Sequence, residues 1–212
     1  MDIFEFRKEF AKAGLSRADL DENPFKQFGK WFKDACDAEV PEPNAMCVST
    51  VDATGAPSSR MVLLKSWDEG GFVFYTNYES DKAKDLSQNP KICAHFFWPE
   101  LERQLKICGE ARKVSAAESL RYFMNRPLGS RIGAWVSNQS KIISSRSLLE
   151  MKFEEMKRKF ANGEVPLPSF WGGYKVEPAL FEFWQGRQNR LHDRFRYAKA
   201  DGKAWDIERL AP

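Results

Sequence analysis

Residues 45–76 read A-M-C-V-S-T-V-D-A-T-G-A-P-S-S-R-M-V-L-L-K-S-W-D-E-G-G-F-V-F-Y-T. Short runs of β-branched and aromatic residues are cut by D-A-T-G at 52–55 and D-E-G-G at 68–71, which are turn formers, so the stretch reads as strands joined by hairpin-length links. The pattern continues at 92–98 and 102–114, past a short helix and a proline turn. Strands at 45–51, 59–66, 72–76, 92–98 and 102–114 predict an antiparallel barrel or sandwich. Met61, Val62, Leu63 and Leu64 are apolar on both faces, which predicts a central strand, with Arg60 and Lys65 surfacing at its ends.

Working outward, the N-terminal 40 residues read as helical. Asp2 caps a first amphipathic helix carrying Ile3, Phe6 and Phe10 and ended by Gly14, placed to fold over a pocket. Asn23 caps a second, with Pro24 at its first position and Phe25, Phe28, Phe32 and Ala35 along one side. Downstream, Ser80 caps a helix running toward Gln88, and Ser115 with Glu118 forms a capping box for a helix stopped by Pro127. After the polar Asn138-Gln139-Ser140 comes an amphipathic helix through Leu148, Met151, Phe153 and Met156 to Phe160, whose methionine and aromatic stripe is core or interface material. Asn162-Gly163 ends it, and Asp201-Gly202 reads as a hairpin turn before a last strand at 203–209.

Composition bounds the function. With 212 residues, 42% of them hydrophobic and 14% aromatic, the chain can bury a core as a single domain. A net charge of +3 demands neither nucleic acid nor an anionic membrane as partner. Cys36, Cys47, Cys93 and Cys108 are far apart, no C-x-x-C occurs and the histidines number two, which argues against a zinc site and for reduced, mostly buried thiols. No apolar run approaches a membrane span and the N-terminus lacks the apolar core of a signal peptide, so a cytoplasmic location is expected.

Three local patterns point to anions, each with a bland alternative. In W-Q-G-R-Q-N-R-L-H-D-R-F-R at 184–196, Arg190, His192, Arg194 and Arg196 alternate with Leu191, Asp193, Phe195 and Tyr197. As a strand this puts three guanidiniums and an imidazole on one side, a row suited to an anionic small molecule or simply a solvated face. The helix start at Ser80 with Lys82 is either a phosphate seat or an ordinary cap. Tyr122 and Arg126, four apart on one helix face, form either a phosphate clamp or a surface pair.

Taken together, R-M-V-L-L-K at 60–65, F-Y-T-N at 74–77, E-R-Q at 102–104, I-G-A-W-V-S at 132–137, P-L-P-S-F-W-G-G at 166–173, F-W-Q-G at 183–186, R-L-H-D-R at 190–194 and the terminal R-L-A-P closely resemble the pyridoxine (pyridoxamine) 5′-phosphate oxidase family. The resemblance spans nearly the whole chain in order. It implies a mainly β, α+β fold with flanking helices, an antiparallel FMN-binding split β-barrel, acting as a homodimer with the flavin at the subunit interface. It implies oxidation of pyridoxine 5′-phosphate and pyridoxamine 5′-phosphate to pyridoxal 5′-phosphate, dioxygen being reduced to hydrogen peroxide and ammonia released from the amine. Carried over residue by residue, FMN is expected at Arg60, Met61, Val62, Leu63, Leu64, Lys65, Tyr75, Thr76, Lys82, Gln104, Gln139, Ser140, Trp184 and Arg194. The substrate phosphate falls to Lys65, Tyr122, Arg126 and Ser130, with Arg190 and His192 as the catalytic pair over the pyridine ring. No metal is implied.

Two departures from the family pattern stand out. The family commonly has S-R-K at the flavin phosphate, where this chain has Ser80-Asp81-Lys82, an anion in place of a cation, which predicts weaker FMN retention. Phe10 stands where the family usually has Tyr, keeping the ring and losing the hydroxyl. The competing expectations are another split-barrel flavin reductase or oxidase, and a non-catalytic carrier of flavin or pyridoxal phosphate.

Overall fold

A computed structural model describes residues 9–161, 163–200 and 204–212. Among the described residues five α-helices flank nine strands: α1 (Pro24–Asp37), β1 (Ala45–Val51), β2 (Pro57–Leu63), β3 (Ser66–Asp68), β4 (Gly71–Asn77), α2 (Asp81–Gln88), β5 (Lys91–Trp98), β6 (Arg103–Lys113), α3 (Ala116–Met124), α4 (Leu128–Val136), α5 (Arg146–Lys159), β7 (Trp171–Gln185), β8 (Asp193–Ala200) and β9 (Ala204–Leu210). All pairings are antiparallel, in the order β2-β1-β5-β6-β7-β4-β3, with β8 on β7 and β9 on β8. This is an antiparallel, mainly β fold, as the strand succession predicts, and of its two alternatives it is the barrel, in the split form that the resemblance implies.

β7 organises the sheet. One edge carries β6, while the other is shared, with Trp171 to Val176 pairing β4 and Leu180 to Gln185 pairing β8. Between those segments the register with β6 shifts at Cys108/Gly109. A Cβ on Gly109 would lie 2.0 Å from the Glu177 carbonyl oxygen, so only glycine lets the two backbones approach there. The sheet therefore bends and forks into a half-barrel.

α1 closes one face of it. Asn23 caps it by accepting from the Phe25 N–H, Pro24 starts it, and Phe25, Phe28, Trp31 and Ala35 are buried. Phe28 meets Phe72 edge-on at 4.9 Å and Trp31 meets Phe183 at 5.0 Å, contacts that join helix to sheet more specifically than area alone. A second core lies under α3, α4 and α5, where Phe123, Ile132, Val136, Val165 and Trp171 are buried against Phe153, Met156 and Phe160. The methionine and aromatic stripe of α5 is core material in part, since Met151 remains 60% exposed.

Several expectations need correction. β2 is an edge strand of the single chain, not a central one: Met61 is 63% exposed and Leu64 alone of that run is core, so apolarity on both faces here marks a surface left for something else to cover. Residues 59–66 are not one strand, because β2 ends at Leu63 and Ser66 begins β3. α4 was not foreseen, its N-terminus having Pro127 and no side-chain cap. The thiols are less buried than expected, with Cys36 exposed and the other three half-buried. The expected first helix lies largely on residues 1–8, outside the described residues, and residues 9–14 are not helical. Asn162 and the Asp201-Gly202 turn also lie outside, although β8 and β9 pair as that turn requires. No helix among the described residues is long and apolar enough to cross a membrane.

Candidate active site

A cleft of about 970 Å³ opens between β2, the end of β4, the start of α2 and the α3–α4 pair. From the expected flavin set it is lined by Arg60, Met61, Val62, Leu63, Lys65, Tyr75, Thr76, Lys82, Gln139 and Ser140, and from the substrate set by Lys65, Tyr122, Arg126 and Ser130. The Leu64 side chain, 3% exposed, belongs to the core, so any role it has at the cleft falls to its main chain.

At one end sit two cations. Lys82, 6% exposed, donates to Thr76 Oγ1 at 3.0 Å, Ser80 Oγ at 3.1 Å and Gln139 Oε1 at 2.6 Å. These acceptors are neutral oxygens. Burial, helped by the nearby Arg60, pulls the ammonium down to about 8, so the site holds positive charge at a cost that an anion would relieve. Ser80 precedes α2 as expected but does not cap it with its side chain, which instead donates to the Asn77 carbonyl at 2.7 Å and accepts from Lys82. The Asp81 N–H reaches Ser140 Oγ at 3.3 Å, while the Asp81 carboxylate turns to Lys84 Nζ at 2.8 Å, which holds its carboxyl below the usual range. The anion in place of the family's cation is thus partly neutralised on the helix surface.

At the other end aromatic rings build a wall. Tyr75 and Tyr122 stack at 3.9 Å with planes 12° apart, and Trp171 stacks on Tyr75 at 5.5 Å. The Arg126 guanidinium lies over Trp171 at 4.6 Å. Among the described residues its buried Nη1 has no hydrogen-bond partner, and burial lowers its pKa. A desolvated guanidinium with an orphan donor suits a phosphate or carboxylate that the protein does not itself provide. Lys65, which lines the same cleft, is exposed, and Ser130, on α4, is half-buried.

The remaining expected residues do not join this cleft in the single chain. Gln104, Trp184 and Arg194 lie directly opposite one another on β6, β7 and β8, continuing a row from the 58% exposed Phe97 on β5. Arg194 is bound to Glu182 Oε1 at 2.7 Å and 2.9 Å, and Glu182 also holds Lys106. The alternating cation strand at 184–196 is not formed: β7 ends at Gln185, a 3-10 turn covers Gln188–Arg190, and β8 starts only at Asp193. Asn189 and Arg190 take φ of 56° and 62°, a turn conformation that breaks the period-two alternation. Arg196 instead pairs with Glu208. His192 lies 4.5 Å from Trp184 and 5.5 Å from Phe10, and its Nδ1 accepts the Arg187 N–H at 3.1 Å, leaving the proton on Nε2. Slight burial and the charge of Arg190 lower its pKa. Phe10 thus packs edge-on against both Trp184 and His192.

Trp171 and Asn77 also line the cleft, and no local sequence pattern assigns them a role. Asn77 Nδ2 ties the 137–140 loop to β4 by donating to the Ser137 carbonyl at 3.1 Å. The signal for Trp171 was the glycine pair after it: a Cβ on Gly172 would lie 2.2 Å from the Tyr78 hydroxyl, and one on Gly173 2.9 Å from the Tyr75 ring, so the motif exists to admit tyrosines.

A family model described as pyridoxamine 5′-phosphate oxidase matches residues 32–160, and one described as the pyridoxine 5′-phosphate oxidase C-terminal dimerisation region matches residues 171–212. Curated proteins named pyridoxine/pyridoxamine 5′-phosphate oxidase match over the whole of both chains, with 59% identity over 212 residues in Rippkaea orientalis and 61% over 214 residues in Crocosphaera subtropica. Among solved structures, PhzG from Burkholderia lata 383 in complex with tetrahydrophenazine-1-carboxylic acid superposes with a TM-score of 0.89 at 27% identity, covering 97% of this chain and 100% of that one.

Proposed function

The chain belongs to the pyridoxamine 5′-phosphate oxidase family, and from that premise we propose that it oxidises pyridoxine 5′-phosphate and pyridoxamine 5′-phosphate to pyridoxal 5′-phosphate with FMN as cofactor. The observation that carries the reading is the pairing, in one cleft, of a buried lysine on neutral oxygens with a half-buried arginine whose buried Nη1 has no acceptor among the described residues. Two anion seats suit two phosphates. The Lys82 seat, with Arg60, Thr76, Gln139 and Ser140, fits the FMN phosphate; the 60–65 strand and Tyr75 line the remainder of the flavin site. When bound, the flavin supplies two-electron chemistry toward dioxygen, with hydrogen peroxide as co-product and ammonia released from the amine.

Lys65, Tyr122, Arg126 and Ser130 hold the substrate phosphate. Arg126 is pre-set against Trp171, so little side-chain freedom is lost on binding, and a clamp remote from the reacting carbon fixes the register of the ring. Arg190 and His192 orient and electrostatically support the pyridine ring. His192, neutral at Nδ1, is able to take that position without adding charge.

Because Gln104, Trp184, Arg190, His192 and Arg194 lie outside the cleft of their own chain, the complete site in this reading forms in a homodimer, each cleft facing the β6–β8 surface of a second copy. Trp184, Arg190, His192 and Arg194 fall inside the region described as a dimerisation region, and the exposed Met61 and Phe97 supply apolar surface for the contact. The chain acts as a single split-barrel domain, β7 to β9 completing the sheet begun by β1 to β6. A carrier of flavin alone has no use for the second anion seat, whereas a carrier of pyridoxal phosphate would keep both seats and show no turnover.

The test is to add FMN and pyridoxine 5′-phosphate to the purified protein in air and follow pyridoxal phosphate and hydrogen peroxide together. Equal yields are expected. Bound FMN with no turnover of either the alcohol or the amine would reject the oxidase reading.

A further inference from the structure

Arg60 does not hold itself at the cleft. Its Nη1 donates to Thr50 Oγ1 at 2.7 Å and its Nη2 to Ser58 Oγ at 2.5 Å. A hydroxyl that accepts from a guanidinium must direct its own proton elsewhere, and here both protons have the same destination. Thr50 Oγ1 lies 2.6 Å and Ser58 Oγ 3.5 Å from Asp85 Oδ2. An ionised carboxylate only accepts and a guanidinium only donates, so these two ends fix the direction of every hydrogen bond between them. Thr50 is fully buried and Asp85 is 8% exposed, which removes water as a competing partner on the Thr50 arm, while Ser58 is exposed.

We propose that Asp85 is a positioning residue for the flavin phosphate: through the hydroxyls of Thr50 and Ser58 it sets the Arg60 guanidinium, and with it the preference of the site for FMN over unphosphorylated flavin. The inference rests on the reading of the Arg60–Lys82 end as the phosphate seat. The relay has a physical rationale. A carboxylate directly against Arg60 would occupy the donors that a phosphate needs, whereas an interposed hydroxyl orients the fork without placing a second anion on it. Asp85 also lies three residues after Lys82 on the buried side of α2, so one helix delivers one phosphate cation directly and steadies the other at a distance.

The experiment titrates FMN-free protein with FMN and, separately, with riboflavin, following the quenching of flavin fluorescence, and reads the ratio of the riboflavin dissociation constant to the FMN dissociation constant, which is high when the phosphate is recognised. Riboflavin has the same ring and no phosphate, so general damage to the fold lowers both affinities and leaves the ratio alone. Asp85→Ala is expected to weaken FMN about tenfold while riboflavin changes by less than about twofold. Thr50→Val, which alters no charge, should give the same loss, and the double variant no more than either alone, because both cut one relay. Asp85→Asn keeps an acceptor oxygen for the hydroxyls and should hold the ratio within about threefold of the parent. Should Asp85→Ala not fold, Thr50→Val and Asp85→Asn carry the comparison. A ratio that stays at the parent value or rises in Asp85→Ala or Thr50→Val overturns the proposal. Arg60→Ala separates the two levels: if it leaves the ratio unchanged, the phosphate seat itself is misread and the inference falls with it; if it collapses the ratio while the relay variants do not, only the role of Asp85 fails.

Discussion

Lys82 makes FMN binding depend on pH in a calculable way. In the free protein burial and Arg60 bring its ammonium down to about 8 from an ordinary 10.5. A phosphate dianion beside it favours the charged form and returns the pKa toward the ordinary value. Below pH 8 the lysine is charged with or without ligand, and affinity is flat. Above it, binding requires proton uptake, so each pH unit weakens FMN about tenfold, about 1.4 kcal/mol, and the loss between about pH 7 and about pH 9.5 amounts to about thirtyfold. Stability of the FMN-free protein moves the opposite way. Between pH 8 and 10.5 the unfolded chain binds a proton that the folded chain does not, so folding gains stability as pH rises through that window, by about 3 kcal/mol across it. Fluorescence titrations with FMN at stepped pH measure the first effect and urea unfolding of the FMN-free protein the second. Riboflavin controls for titration of the ring, and Lys82→Met should bind weakly with no such slope. A flat wild-type profile, or an equal slope in Lys82→Met, would refute the assignment of Lys82 to the phosphate.

Three further outcomes are expected. Arg126→Ala should raise KM for pyridoxine 5′-phosphate about ten- to a hundredfold, the worth of a charged hydrogen bond, with FMN affinity untouched; steady-state kinetics beside an FMN titration check it. Arg190→Ala should slow turnover far more than it weakens flavin binding, and equal losses in kcat and FMN affinity would remove the residue from the substrate ring. Asp81→Arg should tighten FMN about tenfold by replacing an anion that Lys84 only partly neutralises, and an unchanged dissociation constant would show that the Asp81–Lys84 pair already cancels the charge.

Strands and caps were legible because they are local. The runs at 45–51 and 92–98 return as β1 and β5 nearly to the residue, and Asn23-Pro24 starts α1 where that punctuation requires. The pairing of Tyr122 with Arg126 also survives, but its meaning came from residues far away in sequence, since Tyr75 and Trp171 turn a helix face into a wall. What failed was anything decided by neighbours. Alternation from Arg190 to Arg196 suggested a strand, yet the backbone turns at Asn189 and Arg190, and Arg194 and Arg196 are taken by Glu182 and Glu208. The apolar run at 61–64 suggested a central strand because hydrophobicity cannot say whether the covering surface belongs to the same chain. Asp85 left no mark at all, since a carboxylate in a short polar helix reads as solvated until Thr50 is found beneath it.

The absence of Arg190 and His192 from the cleft of their own chain has a genetic consequence. If each working site takes its clamp from one copy and its ring-facing loop from the other, two defective alleles need not be defective together. In that arrangement a chain lacking Arg126 and a chain lacking Arg190 would each be impaired as pure dimers, but a mixed pair would assemble one site from the sound cleft of the second and the sound loop of the first. Its other site inherits both lesions. Such alleles would complement one another within a single gene, whereas two lesions in the same half, at Tyr122 and Arg126 for example, would not.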